Sequence, residues 1–157
     1  MKILVVDDDP MVLFVFHDTL RALGDAYEIV TTQSGLKALN EFKEEPFDLV
    51  ITDLSLKTNG DSTRTINGEA LLREVYALQP EVKSIIYSME DRPFKIQQYL
   101  ESLKVDAYVL KGRNSRLQMV EAIQAIQEDD RYLSPELSEK LHQTSELDID
   151  KYDLLLL

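Results

Sequence analysis

The sequence predicts an α/β domain in which a parallel sheet is covered on both faces by helices. Three observations predict it. Apolar runs of strand length alternate strictly with segments whose apolar residues recur at helical spacing, giving five strand–helix units along the chain. The first run, Ile3 to Val6, is apolar without a break, as a strand buried on both faces requires. Four of the five runs also end in polar residues: Asp7 and Asp8 after the first, Asp53 after the third, Ser88 after the fourth and Lys111 after the fifth.

The elements follow in order. Residues 2–7 read as the first strand, and residues 10–23 as a helix with Val12, Leu13, Phe16, Leu20 and Leu23 at helical spacing and Gly24 in the capping position. Residues 27–31 form the second strand. Ser34 caps a second helix whose inner face is Leu36, Leu39 and Phe42. Residues 48–53 are the third strand; after a polar loop, Gly68 to Leu78 make the third helix, closed by Pro80. Residues 82–88 are the fourth strand, and Pro93 opens a fourth helix with Ile96, Leu100 and Leu103 inward. Residues 106–110 are the fifth strand. Residues 115–127 are the fifth helix, with Leu117, Val120, Ile123 and Ile126 on one stripe.

After residue 128 the alternation stops. Ser134 and Pro135 open a further short helix, and "ELDIDKYDLLLL" begins another helix-like pattern. The expected division is therefore a domain over 1–128 and a helical extension over 129–157.

Composition narrows the function. The 157 residues suit one domain with an appendage, and 44% apolar content supplies a core. A net charge of −12 disfavours binding to phosphate backbones and to anionic membrane surfaces. No run approaches the ~20 apolar residues of a membrane span. The absence of cysteine excludes disulfides and thiolate metal sites, and with an N-terminus unlike a signal peptide it leads us to expect a cytoplasmic protein. His17 and His142 lie far apart, each in a helical pattern, and read as helix-face residues rather than ligands.

In a doubly wound sheet, ligands bind outside the carboxyl ends of the strands, so the strand-end residues converge. Carboxylates without histidine or cysteine suit Mg²⁺, with Mn²⁺ as the other candidate. The metal would offset the repulsion among Asp7, Asp8 and Asp53 and hold a phosphoryl oxygen. Lys111 adds a positive charge and Ser88 a hydroxyl donor, and a carboxylate can itself be a phosphoryl acceptor. Asp9 needs no chemistry, because it precedes Pro10 in the N-cap position. Each feature alone is commonplace, and a lone Asp-Asp-Asp is more often a solvated turn. The specificity lies in their joint placement.

"ILVVDDDP", "FDLVITD", "SIIYS" and "DAYVLKG" resemble the motifs of the receiver domain of two-component response regulators, over roughly residues 1–128. The resemblance implies a flavodoxin-like fold with strand order 2-1-3-4-5. It implies that Asp53 accepts a phosphoryl group from the phosphohistidine of a sensor histidine kinase. Asp8 would bind Mg²⁺ directly, Asp7 through water, and Asp53 and the Ser55 backbone carbonyl would complete the protein ligands. Ser88 and Lys111 would contact the phosphoryl oxygens. Ser88 and Tyr108 would move together as a switch acting on the face of helix four, strand five and helix five.

Three features depart from the pattern. Leu56-Lys57 stands where Met-Pro is usual, the loop after Asp53 is several residues longer than usual, and Met89 replaces a small residue after Ser88. The run from Val109 to Leu137 is similar to the receivers of the NarL/LuxR-type branch, in which a linker leads to a helix-turn-helix domain. DNA binding and control of transcription would then belong to a longer parent protein. The apolar tail and the fifth helix also suggest a homodimer. Two other readings compete: a receiver-like scaffold acting without phosphorylation, and a haloacid-dehalogenase-like phosphatase with Asp7 as nucleophile. Asp7 and Asp9 form the D-x-D of the latter, but Met11 stands where that family has threonine or valine.

Overall fold

A computed structural model of the chain describes residues 1–56 and 66–143. The strands are β1 (Lys2–Val6), β2 (Glu28–Thr32), β3 (Leu49–Thr52), β4 (Lys83–Ser88), β5 (Ala107–Leu110) and β6 (Tyr132–Leu133). The helices are α1 (Pro10–Ala22), α2 (Gly35–Glu44), α3 (Gly68–Leu78), α4 (Pro93–Leu103), α5 (Ser115–Gln127) and α6 (135–143).

Every strand pair is parallel, in the order β2-β1-β3-β4-β5-β6. The pleat explains the unbroken apolar runs. In β1, Ile3 and Val5 join the core beneath α1 and α5, while Leu4 and Val6 join the core beneath α2, α3 and α4.

Local sequence sets the helix starts. The Asp9 carboxylate accepts from the Met11 amide at 2.9 Å, with Pro10 in the first turn. Ser34 caps α2 through the Lys37 amide at 3.3 Å, and Asn67 caps α3 through the Ala70 amide at 2.8 Å. Gly24, just past α1, has φ +123°, a conformation that suits glycine.

The structure corrects three expectations. The sheet has six strands where five were expected. Tyr132 and Leu133 pair with Ala107 and Tyr108, and a strand of two residues is too short to display a period in sequence. On α5 the buried stripe is Met119, Ala122, Ile123 and Ile126, while Leu117 points to solvent, 63% exposed. The stripe lies where the helix meets the sheet and α1, a rotation that spacing alone leaves open. Finally, Ser134 stands at the start of α6 as expected, its carbonyl accepting from the Ser138 amide at 3.1 Å, but its hydroxyl does not complete the cap. It accepts from the Leu110 amide at 2.9 Å and donates to Gln118 at 2.8 Å. Residues 132–143 thus share the sheet and core of what precedes them. Fully buried Leu137 contributes about 2 kcal/mol to holding α6 in place.

Candidate functional site

The ladder brings the predicted residues to one end of the sheet. Asp7 follows β1, and its amide bonds to the Thr32 carbonyl at 3.2 Å; Asp53 follows β3, and its amide bonds to the Val6 carbonyl at 3.2 Å. Ser88 is the last residue of β4, and its carbonyl accepts from the Lys111 amide at 2.8 Å. Carboxylate oxygens of Asp7, Asp8 and Asp53 lie within 4.8 Å of one another.

Lys111 is the counter-charge. Its Nζ donates to Asp7 Oδ2 and to Asp53 Oδ2, both at 2.8 Å, and lies 5.2 Å from the Tyr87 ring centre. Asp7 is buried and Asp8 half-buried; Asp53 is buried too. Burial raises the Asp7 carboxyl above the usual carboxylate range, although Lys111 and the Asp9 amide, 2.9 Å from Oδ1, oppose this. Burial works to lower the Lys111 pKa, but the bonds to Asp53 and Asp7 outweigh it and hold the ammonium charged.

Three carboxylates with no histidine or cysteine among them are a hard-oxygen donor set that fits Mg²⁺. Three carboxylates share the single Lys111 ammonium, so the cluster keeps a net negative charge that favours a divalent cation. Ser55 is exposed, and its amide donates to Asp53 Oδ1 at 3.3 Å.

Ser88 and Tyr108 meet through Glu90. The Glu90 amide donates to Ser88 Oγ at 3.1 Å, and the Tyr108 hydroxyl donates to the Glu90 carbonyl at 2.9 Å. Tyr108 is fully buried, and burial pushes its phenol far above the ordinary value. Met89, by contrast, is 76% exposed and points away from the interior. Lys57 and most of the long loop lie outside the described residues, as does the "ELDIDKYDLLLL" tail.

Sequence reasoning missed two contributors. Gly68 opens α3 directly against Asp53: a Cβ there would sit 1.8 Å from the Asp53 carbonyl oxygen, so only glycine permits this approach. The Thr52 hydroxyl, fully buried, donates to the same carbonyl at 2.9 Å. The sequence signal for Gly68 was a glycine at a helix start, where the loss of helix propensity calls for a packing reason. The histidines take no part in the acidic cluster.

The chain matches the family model described as the response regulator receiver domain over residues 3–124. It is 32% identical over 113 residues to the transcriptional regulatory protein ZraR of Escherichia coli K12, covering 71% of this chain and 23% of that protein. It is 28% identical over 99 residues to the polar-differentiation response regulator DivK of Brucella ovis, covering 62% of this chain and 76% of that protein. The chain thus spans about a quarter of the length of the transcriptional regulators it matches. In fold it is similar to the isolated REC domain of RcsB from Salmonella enterica serovar Typhimurium, with a TM-score of 0.75, 22% identity, and coverage of 88% of this chain and 96% of that one. A LuxR-family two-component response regulator from Aurantimonas sp. SI85-9A1 is alike to the same degree, with a TM-score of 0.75, 22% identity, and coverage of 92% and 96%.

Proposed function

The chain belongs to the response regulator receiver family, and from that premise we propose that Asp53 is its phosphoacceptor. The observation that carries the reading is the Lys111 ammonium held at 2.8 Å from both Asp7 and Asp53 beside Asp8. An Asp53 carboxylate oxygen attacks the phosphorus of a kinase phosphohistidine. The P–N bond breaks, the imidazole leaves with the electron pair, and an aspartyl phosphate remains.

Asp7, Asp8, Asp53 and the Ser55 carbonyl would hold Mg²⁺, which supplies charge stabilisation for the phosphoryl oxygens. Lys111 and Ser88 receive the remaining oxygens, and Lys111 gives up part of its ion pairing as the new anion forms. Asp7 orients the cluster through its bonds to Lys111 and to the Asp9 amide. Ser88 and Tyr108 then carry the change to the face of α4, β5 and α5.

The partner on the input side is a sensor histidine kinase, in the cytoplasm. The output is control of transcription, with DNA contacted by a further domain of a longer parent protein; within the predicted linker, residues 132–143 pack on the receiver sheet itself. Pairing of two chains completes the proposal. Among the described residues no helix is long and apolar enough to cross a membrane.

Intact-mass spectrometry after incubation with acetyl phosphate and Mg²⁺ tests the reading. We expect one phosphoryl adduct in the native chain, none in Asp53→Asn and none in EDTA. Labelling that survives in Asp53→Asn but disappears in Asp7→Asn would overturn it in favour of the phosphatase-like nucleophile. No adduct on a folded chain would point to the scaffold reading instead.

A further inference from the structure

We propose that β6 and α6 form an intramolecular strap over the outer edge of β5, and that phosphorylation of Asp53 loosens it. The proposal rests on Asp53 being the acceptor. Two anchors join the strap to the residues that would respond.

The first anchor runs through the loop after β4. Glu90 is bonded on both sides, its amide to Ser88 Oγ and its carbonyl to the Tyr108 hydroxyl. The next residue, Asp91, accepts from Lys140 of α6 at 3.0 Å. A Ser88 hydroxyl that turns to a phosphoryl oxygen leaves the Glu90 amide without that acceptor. The loop shifts to satisfy it, and Asp91 moves with the loop.

The second anchor lies on β5 itself. Ser134 binds both flanks of Val109: its amide donates to the Tyr108 carbonyl at 3.0 Å, and its hydroxyl accepts from the Leu110 amide at 2.9 Å. Leu110 immediately precedes Lys111. The Ser134 hydroxyl also donates to Gln118 of α5, whose side-chain amide reaches Glu136 at 3.1 Å. Any movement of Lys111 toward a phosphoryl group therefore pulls on a residue pair that the strap holds.

Leu133, Leu137 and Leu141 share the core cluster of Tyr108, Ile96 and Leu103. The edge and the apolar surface beneath the strap belong to the α4–β5–α5 face through which a receiver would signal. In this chain that face is occupied from within, and it becomes available to another molecule only as the strap yields. The loop 88–91 is the element whose two arrangements both sites bias.

Hydrogen exchange with mass-spectrometric readout on the full chain tests this, with the phosphoryl adduct measured in the same sample. With the adduct present, peptides covering 88–92 and 132–141 should exchange at least tenfold faster, while β1 stays unchanged. Coupling is reciprocal, so Lys140→Ala should bind beryllofluoride with Mg²⁺ severalfold more tightly than the native chain, and Lys140→Arg should restore the native affinity. A merely structural Lys140 would leave that affinity unmoved. Unchanged exchange over 132–141 in a fully phosphorylated sample overturns the strap and leaves the Asp53 chemistry standing. No adduct in the native chain overturns both.

Discussion

At the carboxyl end of the sheet, Lys111 sits 2.8 Å from two buried carboxylates, Asp7 and Asp53. At the amino ends of β4 and β5, Lys83 is shared loosely between Asp106 at 3.8 Å and Asp129 at 3.7 Å, and Asp129 is exposed. The amino end also holds a groove of about 760 Å³ lined by Arg73, Tyr76, Lys83, Lys104 and Asp106, and a partly buried hydroxyl pair, Tyr76 with Ser84. This groove lies at the end away from the acidic cluster. What marks a site here is crowding of like charge under burial, which folding tolerates only with a counter-charge in place. Room for a ligand is a weaker sign.

The largest effect should come from removing that counter-charge. Lys111→Met leaves Asp7 and Asp53 unpaired, and we expect a loss of about 3 kcal/mol in urea unfolding carried out in EDTA. A loss below about 1 kcal/mol would mean that the two ends differ less than their geometry suggests.

Tyr76→Phe probes the amino end. Losing its hydrogen bond to Ser84 should cost about 1 kcal/mol at neutral pH and leave acetyl-phosphate labelling at the native rate. Burial first of all pushes the Tyr76 phenol up to about 12, partly opposed by the Ser84 bond. A phenol whose folded-state value is raised contributes stability that is complete below its unfolded value of about 10 and is lost as pH rises towards 12. Unfolding followed across that window should show the native chain losing roughly 1–2 kcal/mol more than Tyr76→Phe. Parallel curves would remove Tyr76 from the account.

The smallest effect should be Lys83→Ala. Its ion pairs are long and partly solvated, so thermal unfolding should shift by an amount equivalent to less than about 0.5 kcal/mol. A cost near that of Lys111→Met would erase the contrast between the ends.

Much of this molecule was legible in advance. The strand runs, the caps at Asp9 and Ser34 and the bounds of α3 and α5 follow from residues within a few positions of one another, and such short-range signals survive in a linear reading. The site was legible for a related reason. In a parallel α/β sheet the strand ends share one side of the molecule, so Asp7, Asp53, Ser88 and Lys111 converge once the strands are placed. Asp7 and Lys111, 104 positions apart, meet on that ground.

Tertiary structure decided the rest. Leu117 faces water because the rotation of α5 is set by how α1 and the sheet receive it, and several apolar stripes on that helix were compatible with its spacing. Ser134 reads as a cap, yet its hydroxyl is captured by Leu110 and Gln118, partners 24 and 16 positions away. Gly68 and Asp53 are forced together by the packing of α3 on the end of β3. The strand–helix alternation and the acidic strand ends are periodic or positional properties, carried by the sequence itself. The sixth strand and the strap over β5 depend on which edge is left open after the other five strands have paired, and no local pattern encodes that vacancy.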